Sequence, residues 1–207
     1  MTHFSGIPRG NPAASSDTIR RQILLLNYLE KKGRESKQLS FLAHIEMDDV
    51  KRKALFVCLG NSCRSPIAEG VFQKTVNKMA QGHLWEIDSA GIADWNVGYP
   101  PTNRAQNTMK RHDVPYNNVG RHITLEDFNN FDFIFGMDES NMKDLREMAP
   151  EGSKAKIFLL GEFDPEGETI IRDPYFDNHA RGFEKCYEQV VRSSKGFLEW
   201  LAQRDDM

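Results

Sequence analysis

The chain has 207 residues, 39% hydrophobic and 28% charged, with a formal net charge of -3. That is apolar material for one sizeable core, with room for two, and the near balance of charge gives no reason to expect the basic stripe of a nucleic-acid binder or the polybasic patch of a membrane-surface protein. Three cysteines argue against a disulfide framework and for a reducing, cytoplasmic setting, no apolar run reaches membrane-spanning length, and the N-terminus lacks the apolar core of a secretory signal.

Residues 1–52 form an N-terminal extension. Met1 to Ser16 is rich in Gly, Pro, Ser and Asn and predicts a disordered segment. Asp17 to Lys32 reads as a helix: Asp17 as an acidic cap, Ile19, Ile23, Leu26 and Leu29 on one side, Lys31 and Lys32 at the C-terminal dipole and Gly33 beyond. A shorter apolar patch follows at Leu39, Phe41 and Leu42. Three readings stay open for this segment: a helix packed on the following domain, a docking or regulatory element, or a targeting peptide. Arg20 and Arg21 favour the last, while Asp17 and Glu30 oppose it.

The stretch Lys53 to Glu69 organises the rest. Ala54, Leu55, Phe56 and Val57 predict a short buried strand. Gly60 and Asn61 are residue types that accept the left-handed backbone of a tight loop. Ser65 stands where a helix N-cap belongs, with Pro66 at the first helical position. A loop wrapped before a helix N-terminus aims several free amides into one concavity, and the helix dipole adds positive potential. A cysteine at the floor of that cup, Cys58, is favoured as the nucleophilic thiolate. Arg64 at the rim offers a planar fork to two phosphate oxygens. The outline is that of a phosphate-handling site, against the plainer alternative that Cys58 is a small residue burying itself at a strand end.

Strands and helices then alternate, predicting a parallel sheet with helices on both faces. The expected strands are Ala54–Cys58, Trp85–Ala90, Asp132–Gly136 and Lys156–Leu160. The expected helices are Pro66–Met79, Asn103–Arg111, Glu139–Met148 and Asp177–Gln203, with a short helical turn at Thr124 to Asn129. Ligands in such sheets bind at the carboxyl ends of the strands, where the Cys58 loop falls. Cleavage of a phosphate ester also needs a proton for the departing oxygen, and Asp173-Pro174-Tyr175 is the candidate source. Asp164-Pro165 repeats the dipeptide and reads as structural.

The run V-C-L-G-N-S-C-R-S-P-I-A-E resembles the active-site loop of the low-molecular-weight protein tyrosine phosphatases. The likeness continues through Trp85 to Gly91, Met109 to His112, Ile123-Thr124 with Asp127-Phe128, Met137 to Asn141 and Asp173 to Tyr175, from near Lys53 to near Gln203. It implies an α/β, three-layer, phosphatase I-like domain over residues 53–207 with a central parallel sheet of about four strands. It implies a hydrolase acting on phosphotyrosine proteins and small aryl phosphates, with possible acid phosphatase activity. Cys58 is then the nucleophile that carries a phosphocysteine, Arg64 the phosphate clamp and Asp173 the general acid and base. Leu59, Gly60, Asn61, Ser62, Cys63 and Ser65 bind the phosphate, and Trp95 and Tyr175 form aromatic walls for a phenyl ring. Ser89, His112 and Asn118 fall in the support positions, His112 as a capping or structural residue. No metal or cofactor is called for, and a monomer with weak self-association is expected. Cys58 and Cys63 have the makings of a reversible disulfide, and Cys186 reads as a buried bystander.

Two departures from the family pattern stand out. Asn118 occupies a place where the family commonly has a histidine bonded into the loop network, and Phe176 replaces a second tyrosine. Two rival readings are weaker. A thioredoxin-coupled arsenate reductase would need relay cysteines, and Asp88 to Gly136 contains none. A dead phosphotyrosine-binding module has no need of Cys58, Arg64 and Asp173 together.

Overall fold

Strand β1 (Arg52–Cys58) is the centre of the architecture because both of its faces are apolar. Its alternating side chains divide between two cores: Ala54, Phe56 and Cys58 point into one, Leu55 and Val57 into the other. The computed structural model describes residues 51–177 and 181–205. Within them the chain runs β1, α1 (Arg64–Lys78), β2 (Trp85–Gly91), α2 (Asn103–Arg111), a single-turn α3 (Asp127–Asn130), β3 (Phe133–Gly136), α4 (Glu139–Met148), β4 (Lys156–Leu159) and α5 (Arg181–Asp205). The four strands form one parallel sheet in the order β2-β1-β3-β4. Phe56 pairs in register with Ser89 on one side and Phe135 on the other.

Helices cover both faces. The larger core gathers Phe56, Phe133 and Phe135 from the sheet, Ile67 and Phe72 from α1, Met109 from α2 and Phe197 from α5. Phe56 stacks on Phe135 at 5.2 Å, and Phe197 meets Phe135 edge-on at 4.8 Å. The smaller core sets Leu55, Val57 and Ile134 against Phe128 of α3 and Leu145 of α4. The predicted α/β architecture is therefore the one observed. Strand order reverses direction at β1, whose first crossover leads to β2 while β3 lies on its other side. The loops leaving the carboxyl ends of β1 and β3 diverge there and open a crevice.

Element boundaries differ where local chemistry was misread. Helix α1 begins at Arg64 with Cys63 in the capping place and no side-chain cap, so Ser65 and Pro66 lie inside its first turn. Asp177 lies outside helix α5, which is described from Arg181, and Pro174–Phe176 forms a separate 3-10 turn capped by Asp173. The predicted N-terminal helix over 17–32 and the patch at Leu39, Phe41 and Leu42 lie outside the described residues.

Asp164, the second Asp-Pro aspartate, is buried. It accepts from Arg192 Nε at 2.8 Å and Nη2 at 2.7 Å and from the Glu166 amide at 3.0 Å, fastening the loop after β4 to α5. Its hydrogen bonds from Arg192 hold this carboxyl below the usual carboxylate range. A depressed folded value means that the stabilisation is full above about pH 4, the ordinary unfolded carboxylate range, and disappears as pH falls through the folded value. Asp164→Asn is expected to cost about 2 kcal/mol at pH 7 in denaturant unfolding. The gap between variant and wild type should close in strong acid, and a gap that stays constant with pH would contradict the assignment.

Candidate active site

The loop after β1 faces its carbonyls outward. Ile92 N donates to Cys58 O at 3.0 Å, Ala93 N to Leu59 O at 2.8 Å, Asn96 Nδ2 to Gly60 O at 2.8 Å and Thr102 N to Ser62 O at 2.9 Å. Among the described residues, the amides of Leu59 to Cys63 have no protein acceptor. Carbonyls bonded out and amides left over are what an anion cup requires. Only Asn61 takes the left-handed backbone, at φ 49°. Gly60 does not, and its need is space: a Cβ there would come within 2.9 Å of Asn96 Nδ2.

Asn61 is also the hub of the loop's side-chain bonds. Its Nδ2 donates to Ser65 Oγ and Ser89 Oγ, both at 2.9 Å, and its Oδ1 accepts from the Arg121 amide at 2.9 Å. Ser65 Oγ lies 3.1 Å from Cys58 Sγ. On the other side Ser89 Oγ donates to Glu69 Oε2 at 2.6 Å, which also accepts from Tyr116 Oη at 2.7 Å, while Asn118 Nδ2 donates to Glu69 Oε1. The proton directions follow from the carboxylate, which only accepts. Ser89 spends its proton on Glu69 and must accept from Asn61. The second Asn61 proton goes to Ser65. Ser65 keeps its own for the sulfur, the nearer of its two acceptors, Ala90 O being at 3.4 Å.

Arg64 is buried beneath the loop. Its Nη2 donates to Asp173 Oδ2 at 2.9 Å and its Nη1 to Asp138 Oδ2 and to Ile171 O at 3.2 Å. Its Nε is buried with no partner among the described residues. Burial alone would weaken the guanidinium's hold on its proton, but negative charge on Cys58, Asp138 and Asp173 more than restores it. Asp173 Oδ1 accepts from the Tyr175 amide at 3.0 Å.

Most of the predicted residues thus meet. Cys58, Asn61, Ser65 and Ser89 are joined by one set of these bonds and Arg64 and Asp173 by another, and Asn118 enters the first set through Glu69. Trp95 stands beside Gly60 and Tyr175 beside Asp173, both with exposed rings, and Leu59 is half exposed. Cys63 Sγ sits by Thr102 Oγ1 at 3.5 Å and Ser62 Oγ at 3.8 Å, and burial pushes its thiol up. All three cysteines are free, and burial also pushes the Cys186 thiol up. His112 stands apart from the loop network. It ends α2, its Nε2 is 2.6 Å from Glu184 Oε2, and its ring stacks on Tyr187 at 3.8 Å. Sequence reasoning passed over Glu69, Tyr116 and Asp138. A glutamate inside the apolar run Pro66 to Phe72 was the available signal for the first, and the position just after β3, at the crevice, for the third. Tyr116 gave none.

The family profile described as Low molecular weight phosphotyrosine protein phosphatase matches residues 53–206. The chain belongs to this family. The Homo sapiens low molecular weight phosphotyrosine protein phosphatase is 47% identical over 154 residues, covering 73% of this chain and 97% of that protein. Among solved structures, a drosophila arginine phosphatase is 41% identical with a TM-score of 0.69, covering 72% of this chain and 97% of its own. A protein tyrosine phosphatase from Entamoeba histolytica, solved with Hepes in its active site, is 31% identical with a TM-score of 0.71, covering 75% and 99%. Membership makes this chain a hydrolase with the phosphatase fold. Among its described residues, no helix is long and apolar enough to cross a membrane, and no three His, Cys, Asp or Glu side chains gather as a metal site.

Burial raises Glu69's carboxyl above its ordinary range, against the pull of its three donors. A raised folded value means that the stabilisation is full below the ordinary carboxylate range and is lost as pH rises through the folded value, so the ionised form is a net cost at neutral pH. Glu69→Gln is therefore expected to leave stability at pH 7 within about 1 kcal/mol of wild type. Turnover should nonetheless fall by about tenfold, because the proton chain to Cys58 loses its fixed direction. A large loss of stability with normal turnover would contradict this division of labour.

Proposed function

We propose that the chain hydrolyses phosphotyrosine and related aryl phosphate monoesters in proteins through a phosphocysteine on Cys58. The observation that carries the reading is the 2.9 Å bond between Arg64 and Asp173, residues 109 positions apart, beside the Cys58 loop. It brings the proposed clamp and the proposed proton source together next to the loop that carries the proposed nucleophile. Support also comes from the unpartnered amides and from Arg64 Nε, which a phosphate oxygen would satisfy.

In the first step Cys58 Sγ, held by the Ser65 hydroxyl, forms a bond to phosphorus as the phosphorus–phenol oxygen bond breaks. The loop amides and Arg64 hold the three equatorial oxygens, and the Asp173 proton goes to the leaving phenolate. In the second step Asp173 takes a proton from water, the water oxygen bonds to phosphorus, and the S–P bond breaks to return the thiolate and release phosphate. Asp138 keeps the guanidinium aligned while Asp173 turns from Arg64 to the substrate. Exposed Trp95 and Tyr175 favour a flat phenyl group. A cytoplasmic enzyme with phosphotyrosine protein substrates and activity on small aryl phosphates belongs to the same proposal.

A second substrate class has its own observation. One relative is named an arginine phosphatase, and Asp173 here already faces a guanidinium, that of Arg64. A phosphoarginine guanidino group would present the same chemistry to that carboxylate.

Cys58→Ser is expected to abolish release of nitrophenol from para-nitrophenyl phosphate while phosphate binding survives. Asp173→Ala should lower kcat/KM by about a hundredfold for phenol leaving groups and much less for nitrophenols. Peptides carrying phosphotyrosine, phosphoserine and phosphoarginine, given to the full chain, decide the substrate class. Phosphotyrosine is expected to be the best, and intact phosphate binding with no turnover of any of the three would contradict the enzyme reading.

A further inference from the structure

Helix α2 touches both halves of the crevice through its first turn. Ahead of it, Thr102 N donates to Ser62 O at 2.9 Å on the cup. The second residue of the helix, Arg104, reaches the acid loop, where Nη2 donates to Tyr175 O at 2.8 Å and Nη1 to Asp177 O at 2.6 Å. Its guanidinium carbon lies 5.7 Å from the Tyr175 ring centre and 4.8 Å from that of Phe183, which is fully buried at the start of α5. The arginine is thus layered between the aromatic wall and the core, with its fork closed on two backbone carbonyls.

We propose that Arg104 is the positioning residue that sets the acid loop at its distance from the cup, acting on Asp173 through the Tyr175 peptide. The inference rests on the reading of Asp173 as general acid given above. Asp173 has two anchors, Arg64 Nη2 and the Tyr175 amide. A bound phosphate competes for the first, because it takes the Arg64 fork. The second remains, and the residue that supplies it is the one whose carbonyl Arg104 holds. The other clasp on this loop, the ion pair of Arg172 with the Asp177 carboxylate, runs from exposed Arg172 within the same segment. It shapes the turn but ties it to nothing outside. Arg104 alone among these arginines connects the turn to the helix that also grips the cup.

The test compares kcat/KM of the full-length wild type, Asp173→Ala, Arg104→Met and Arg104→Lys on phenyl phosphate, whose leaving group needs a proton, and on 2,4-dinitrophenyl phosphate, whose leaving group does not. Methionine keeps an apolar stem over Phe183 but has no donor. Lysine keeps stem and charge but not the fork. Arg104→Met is expected to lose about tenfold or more on phenyl phosphate and less than about threefold on the dinitrophenyl ester. Alkylation of Cys58 by iodoacetate should proceed at the wild-type rate, since the cup is intact. Arg104→Lys should show the same selective loss in smaller measure, and it carries the test if the methionine variant does not fold. Equal losses on both esters, slowed alkylation, or a lysine variant equal to wild type on phenyl phosphate would overturn the role of Arg104. If Asp173→Ala itself shows no leaving-group selectivity, the acid assignment fails first and the proposal with it.

Discussion

The constraint on which the rest depends is the outward bonding of four consecutive-region carbonyls, those of Cys58, Leu59, Gly60 and Ser62. A peptide whose carbonyl is turned to the scaffold presents its amide the other way, so fixing the carbonyls fixes the cup. The partners come from the segments after β2 and before α2, which is why so short a loop needs a whole sheet and two helices around it. Glycine at position 91 belongs to the same constraint. A Cβ there would come within 3.1 Å of Asn61 N and 2.8 Å of Ala93 O, both backbone.

Charge is arranged in two layers around this loop. Arg64 lies beneath it between Asp138 from the end of β3 and Asp173 from the acid loop. A buried cation with carboxylates on two sides is held in place electrostatically as well as by packing. Farther out, Glu69 is the single buried carboxylate terminating the Asn61 and Ser89 bonds. Its ionisation is unfavourable for the fold, and in the proposed reaction that cost is offset by a hydroxyl pointed permanently at the reacting sulfur. Tyr116 and Asn118 share the work of satisfying it. Neither has a proton to exchange near neutral pH, and burial pushes the Tyr116 phenol further up. The group in this network whose charge changes with pH is therefore Glu69 itself.

The fold was legible because β1 to β4 are short apolar runs separated by helical periods, and such patterns follow from burial alone. Cys58, Arg64 and Ser65 were legible because they are neighbours in sequence, and Asp173 because Asp-Pro-Tyr is a local signal. What escaped was long-range pairing. Asp138 is 74 positions from Arg64 and Arg104 is 71 from Tyr175, and no local pattern reports which acid a crossover brings to which base. As an N-cap, though not as a hydrogen-bond partner of Cys58, Ser65 was misread for a related reason. Its residue type and the following proline fit an N-cap, but a side chain that can bond either its own backbone or a tertiary partner follows the partner, here Cys58 and Asn61.

The most direct test of the central claim is to quench the full-length protein in acid during turnover of an aryl phosphate and locate any phosphoryl group by peptide mass spectrometry. The account predicts phosphate on the peptide carrying Cys58, lost on treatment that cleaves the S–P bond and absent from Cys58→Ser. A phosphoryl group on another side chain, or none at all during sustained turnover, would contradict it.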